Sequence, residues 1–192
     1  MLKLKKKDRI SICGREYVLI ERLAGGFQFR TWKVERNNSH YVAKLTDKTD
    51  RALRELRTYL FLKNRNYPDR YYAELIDFDH LANIIKTNGK KTNLIALLLK
   101  YYPFDNLSTF IKNANTDERQ KIAIKLKRRV LLLHKAGIIH GDLRENNIIA
   151  LKTNRGIGVR LIDFGLSKFI EKGDKEKENI KLNRLINRIT CN

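Results

Sequence analysis

The run His140-Gly141-Asp142-Leu143-Arg144-Glu145-Asn146-Asn147, followed by Leu161-Ile162-Asp163-Phe164-Gly165, constrains this chain more than any other feature. Both pieces are set between apolar runs. Ile138-Ile139 precedes the first, Ile148 to Leu151 follows it, and Val159 to Ile162 leads into Asp163. Two short strands separated by Asn154-Arg155-Gly156 read as a hairpin slightly longer than the tightest type. Its pairing would bring Asp142, Asn147 and Asp163 together at the strand ends. An Asp, an Asn five residues on and a second Asp before Phe-Gly form an oxygen-rich set. Hard divalent cations such as Mg²⁺ take oxygens of this kind and normally share their shell with substrate phosphates.

Upstream, Ile10 to Val34 reads as strand, glycine turn, strand: Tyr17-Val18-Leu19-Ile20, then Gly25-Gly26, then Phe29 to Val34. Paired glycines between strands let backbone N–H groups approach a phosphate, and equally make an ordinary hairpin turn. A third strand, His40 to Leu45, carries Lys44. Asp50 to Lys63 reads as a helix capped by Thr49 or Asp50, with Leu53, Leu56 and Leu60 as its apolar stripe and Tyr59 and Leu62 beside it. Glu55 borders that stripe, where a surface pairing with Arg51 is one reading. Leu75 to Phe78 and the continuous apolar run Leu94 to Leu99 read as strands, and Pro103 stops the second of them. A short helix over 107–112 and a long one over 117–135 follow. The long helix is capped by Thr116, closed by Gly137 and apolar at Ile122, Leu126, Val130 and Leu133. Beyond Gly165, residues 174–189 read as a charged amphipathic helix with Ile180, Leu182, Leu185, Ile186 and Ile189 as possible inner positions.

Taken in this order, the residues resemble the protein kinase-like superfamily, from about Ile10 to Phe169. The resemblance implies an α+β, two-lobed fold. A small, mainly antiparallel sheet with one helix forms an N-terminal lobe over residues 1–102, and a truncated, mainly helical lobe covers 103–192. It also implies roles. Asp142 orients the acceptor hydroxyl, Arg144 steadies the transferred phosphate, and Asn147 and Asp163 hold Mg²⁺. Lys44, oriented by Glu55, contacts the nucleotide phosphates of ATP; Gly25 and Gly26 cover them. The stretch from Lys100 through Tyr102 resembles the interlobe hinge, whose backbone would meet an adenine edge. His140 is expected to be structural. Gly141 stands where larger protein kinases carry Arg, and no Ala-Pro-Glu motif follows. His-Gly-Asp-Leu and Ile-Asp-Phe-Gly-Leu-Ser look most like the kinase subunit of the KEOPS tRNA-modification complex and the RIO kinases. That likeness implies a minimal serine/threonine protein kinase, acting on a protein Ser or Thr or chiefly as an ATPase beside partners. The aminoglycoside phosphotransferases share His-Gly-Asp-Leu, which keeps a small-molecule kinase open as an alternative.

Composition narrows the partners. At 192 residues, 42% apolar and 32% charged, the chain is globular in type. Its net charge of +20 favours acidic partners, an acidic protein or tRNA, or else a solvated charge-rich surface. A basic, kinase-shaped module for binding RNA or protein is therefore a further alternative. Cys13 and Cys191 lie without metal-ligand spacing and read as free thiols. The lysine-rich start has no apolar run behind it, and no stretch approaches the roughly 20 apolar residues of a membrane span. A cytoplasmic location with no membrane attachment is the expectation.

Overall fold

A computed structural model describes residues 4–25, 30–86, 88–89, 91–103, 107–154 and 156–191. It divides into two compact units, Met1–Leu56 with Glu74–Tyr102, and Arg57–Ala73 with Pro103–Asn192. Gly26, Phe29 and Arg155, on which expectations above rest, lie outside the described residues.

The first unit is built on six antiparallel strands. These are β1 (Arg9–Ile12), β2 (Arg15–Gly25), β3 (Arg30–Arg36), β4 (Ser39–Thr46), β5 (Leu75–Ile85) and β6 (Lys91–Lys100). They pair in the order β1-β2-β3-β4-β6-β5, and β1 also pairs with β5, so the sheet closes into a barrel. Two tight turns set its register. Cys13-Gly14 joins β1 to β2 with φ of 47° and 74°, and Asn37-Asn38 joins β3 to β4 with φ of 51° and 59°. Two consecutive positive φ angles give the turn whose twist matches antiparallel strands, and Asn and Gly tolerate it best. Alternate residues then fill the interior: Ile10 and Ile12, Tyr17 and Leu19, Trp32 and Val34, Ala43 and Leu45, Leu94, Ala96 and Leu98. Ala43 stands opposite Trp32, small against large, as a narrow barrel requires. β6 is also buried on its other face, at Ile95, Leu97 and Leu99, which explains its unbroken apolar run. Neither β1 as a separate strand nor β5 beyond Phe78 is among the strands expected from the apolar pattern.

Helix α1 (Thr49–Asn64) passes from the first unit into the second. Its buried face is Ala52, Glu55, Thr58, Tyr59 and Leu62. The expected stripe of Leu53, Leu56 and Leu60 is therefore corrected: Leu60 is 45% exposed and Leu53 and Leu56 are only half-buried. The face turned inward is the one that carries Glu55, which pairs with Lys44, and the large Tyr59 ring.

The second unit comprises α2 (Leu107–Lys112), α3 (Thr116–Lys135), β7 (Ile138–Ile139), β8 (Ile148–Thr153), β9 (Gly156–Leu161), β10 (Lys168–Phe169) and α4 (Asp174–Thr190). The N-cap of α3 is Asn115, not Thr116. Asn115 accepts from the Glu118 amide at 2.9 Å and Glu118 reaches back to the Asn115 amide at 3.1 Å, a reciprocal box that satisfies two otherwise orphan donors. Gly137 ends the helix with φ of 89°, as expected of a residue in that position. Ile122, Leu126, Val130 and Leu133 form its buried stripe as read; α3 packs against β9 and α4, whose buried residues include Val159, Leu161, Leu182, Leu185 and Ile189. On α4 the inner face also takes in Asp174 and Glu178, while Ile180 turns outward at 53% exposure. The hairpin of β8 and β9 forms in the expected register, with Ile148 opposite Leu161. Both cysteines are free and exposed. Among the described residues no helix is long and apolar enough to cross a membrane.

Candidate active site

In the first unit the strand ladder places Lys44 between Thr31 on β3 and Leu97 on β6, so its backbone is held from both sides. Ala43 and Leu45 point into the barrel; Lys44 alternates to the opposite face, toward α1. There its ammonium donates to both Glu55 oxygens, at 2.7 and 2.6 Å. Both side chains are buried, Lys44 at 5% and Glu55 at 0% exposure. A carboxylate taken wholly out of water persists as a charge only when such a partner meets it. The reading of Glu55 as a surface acid is set aside by this burial.

Gly25 closes β2 opposite Arg30, and its neighbour Gly26 lies outside the described residues. Lys100 ends β6. Its amide donates to the Glu74 carbonyl at 2.9 Å and its ammonium pairs with the Glu74 carboxylate at 3.2 Å, so that amide is committed to the sheet. Tyr102 follows, half-buried, beyond the last strand residue.

In the second unit the hairpin register delivers the oxygen set. The Ile162 amide donates to the Asn147 carbonyl at 3.0 Å, which ties the residue before Asp163 to Asn147. The Asn147 side-chain nitrogen donates to both the Asp142 carbonyl and Oδ2, each at 2.8 Å. With the nitrogen so used, the Asn147 side chain presents its oxygen to any further partner. The Arg144 guanidinium lies 3.0 Å from the same Asp142 Oδ2. Asp163 adopts φ of 65° and ψ of 73°, a left-handed conformation that Asp tolerates better than most residues but still at a cost. Its Oδ1 accepts from the Gly165 amide at 3.4 Å.

Two residues hold this loop from below. His140 is fully buried, and burial pushes its imidazole pKa down despite the nearby Glu178 and Asp163 charges. Its Nε2 sits 3.1 Å from the Ile162 carbonyl, which can only accept, so Nε2 carries the proton and Nδ1 receives the Asp142 amide at 3.4 Å. A neutral, structural His140 matches the expectation. Glu178 of α4 was missed. Its carboxylate receives His134 Nε2 at 2.8 Å, the His140 amide at 3.2 Å and the Gly141 amide at 2.8 Å. Burial pushes the Glu178 pKa up, but these donors together outweigh it and hold the carboxyl below its ordinary value. The signal was present in the sequence: Asp174 and Glu178 fall on the face of Leu182, Leu185 and Ile189, and acids on an apolar face need partners. Gly141 explains its own presence. With φ of 82°, a Cβ built there would lie 2.0 Å from the Leu166 carbonyl oxygen, so no side chain fits.

Comparison with known proteins supplies the family. The model described as the protein kinase domain matches residues 32–184 of this chain. This chain belongs to the protein kinase domain family. Individual relatives agree at low identity. A probable serine/threonine-protein kinase KIN1 homolog from Enterocytozoon bieneusi is 28% identical over 83% of this chain and 26% of its own length. KEOPS complex subunit Bud32 from Pyrococcus abyssi is 33% identical over 41% of this chain and 34% of its own. A cyclin-dependent kinase 4 homolog from Caenorhabditis elegans is 30% identical over 68% of this chain and 35% of its own. The chain thus spans about a third or less of the length of these relatives. The α+β architecture, with its antiparallel sheet and helical second unit, is the one the resemblance implied.

Proposed function

We propose that this kinase domain is an ATP- and Mg²⁺-dependent phosphotransferase acting on serine or threonine of a protein. The observation that carries the reading is the Asn147 side chain bound through its nitrogen to Asp142, which leaves an amide oxygen beside the Asp163 segment. The donors in this set are all oxygens, as Mg²⁺ requires. Asn147 and Asp163 would hold the ion, which supplies charge neutralisation on the phosphates when bound. Lys44, fixed by Glu55, places positive charge at the α- and β-phosphates. Gly25 with Gly26, and Lys100 through Tyr102, belong to nucleotide binding in this reading.

Asp142 performs the orienting step. Both Asn147 and Arg144 approach Oδ2, which keeps Oδ1 for the acceptor hydroxyl. As the hydroxyl oxygen bonds to phosphorus and the bond to the leaving diphosphate breaks, the hydroxyl proton passes to this carboxylate. Arg144, 59% exposed at its side chain, is placed to leave Asp142 and steady the transferred group. Lobes divided near residue 102, no membrane attachment and a cytoplasmic setting complete the proposal. The partial match to a KEOPS complex subunit supports a partner protein beside this domain, and ATP hydrolysis in such a complex is the second mode that the resemblance implies.

The test is transfer of label from γ-labelled ATP, with Mg²⁺, to the protein itself and to casein. Label on serine or threonine that disappears in Asp142→Ala is the expected result. Neither transfer nor hydrolysis would turn the reading toward a basic binding module. Transfer to an aminoglycoside but not to protein would turn it toward a small-molecule kinase.

A further inference from the structure

α3 has two faces, and the packing of the second unit uses only one. Its inner stripe packs the second unit; its outer stripe runs Lys121, Ile124, Lys127, Arg128, Leu131 and Lys135, all exposed. These positions recur at helical spacing along a helix about 30 Å long. Ile124 is 69% exposed, more than any other large apolar side chain among the described residues, and Leu131 is 44% exposed. They lie seven residues apart, two turns on one line, with Lys127 and Arg128 between them. Lys121 is paired with Asp117. Lys127, Arg128 and Lys135 form no salt bridge among the described residues. By contrast Lys125, on the flank, is used internally, donating to the Ile157 carbonyl of β9.

We propose that this outer face of α3 is a docking surface for an acidic, amphipathic segment of a partner protein. The charge alone calls for an anion, and the two aliphatic anchors decide which kind. Isoleucine and leucine offer no ring for a base to stack on, so they would add little to a nucleic-acid contact. An acidic helix with two apolar residues two turns apart buries both anchors while its carboxylates meet the flanking cations. A second copy of this chain is disfavoured. A twofold contact would set the same four cations against themselves, on molecules each carrying +20.

Fluorescence anisotropy tests the proposal with three labelled probes on the full chain. One is an 18-residue peptide with leucines on one helical face and glutamates on the other. The second is the same composition scrambled, and the third is a 12-nucleotide uridine RNA. The patterned peptide should bind wild type at least about tenfold tighter than the scrambled one. The double variant Ile124→Ser/Leu131→Ser should lose that advantage, since burial of each anchor is worth roughly tenfold or more. Lys127→Ala/Arg128→Ala should weaken binding and flatten its salt dependence. All these positions are exposed, so circular dichroism should show unchanged folding and labelled-ATP turnover should stay at the wild-type rate. Equal binding of patterned and scrambled peptides, or of wild type and the serine variant, overturns the proposal. So does RNA binding that is tighter than the patterned peptide and insensitive to the serine variant. Sedimentation showing a dimer dissolved by Ile124→Ser would replace the partner with a second copy.

Discussion

Replacing Glu178 tests whether α4 positions the loop that carries Asp142. The wild-type carboxylate answers three donors from two oxygens: Oε2 takes His134 and the His140 amide, and Oε1 takes the Gly141 amide. In Glu178→Gln the amide oxygen best keeps the Oε2 position and its two donors. The new NH₂ then faces the Gly141 N–H, donor against donor. One buried N–H left unanswered costs about 1–3 kcal/mol. In Glu178→Ala all three donors are stranded, each at about 1–3 kcal/mol where water does not reach it. Urea unfolding should report both, with the Gln variant the milder. The catalytic consequence should exceed the stability loss, because Gly141 adjoins Asp142 and small displacements of a catalytic group are costly. A fall in kcat of roughly ten- to a hundredfold is expected for Gln, with KM for ATP nearly unchanged. If Glu178→Gln lies within about 0.5 kcal/mol of wild type and keeps kcat within about twofold, the reasoning from these three donors is refuted.

Lys44→Met strands the buried Glu55 charge and should cost about 3–5 kcal/mol in urea unfolding. Adding Glu55→Leu should restore most of that stability without restoring phosphotransfer. Gly141→Ala meets the Leu166 carbonyl and a positive φ together, so it should destabilise by about 2–4 kcal/mol and abolish turnover. Full activity in this variant would mean the loop backbone runs differently. Acid should weaken the fold in two stages. His140 has a folded pKa below its ordinary 6.5, so the unfolded chain binds the extra proton and stability falls as pH drops through that value. Glu178 has a folded pKa below its ordinary 4.5, so its contribution is complete above that pH and is lost as pH falls through the folded value. Thermal unfolding from pH 8 to 3.5 should show both, and Glu178→Gln should lose the lower stage. A Tm independent of pH across this range would contradict both assignments.

The hairpin, the long helix and the oxygen set were legible in the chain because each is local. Asp142, Asn147 and Asp163 are positioned by a turn and a strand register, and register follows directly from apolar patterning. Lys44 and Glu55 were legible for a different reason, the family resemblance, since nothing in an 11-residue interval shows that two charges meet. What stayed hidden depended on distant contacts. Closure of the sheet by β1 on β5 joins strands some 70 residues apart. The rotation of α1 is set by Glu55 and Tyr59 finding partners, which outweighs the leucine count of the competing stripe. Asn115 capped α3 where Thr116 was expected because only Asn115 stands three residues before Glu118. Glu178 is absent from the inner positions expected of α4, which were all apolar, although its spacing from Leu182 and Leu185 placed it inward.

The central claim is that Asn147 and Asp163 hold a divalent cation in company with a nucleotide. Electron paramagnetic resonance with Mn²⁺ in place of Mg²⁺ tests it without relying on turnover. In the presence of ATP, wild type should sequester one Mn²⁺ beyond what free ATP binds, and Asp163→Ala and Asn147→Ala should each lose it. Unaltered Mn²⁺ uptake in both variants would place the cation on other residues and contradict the account.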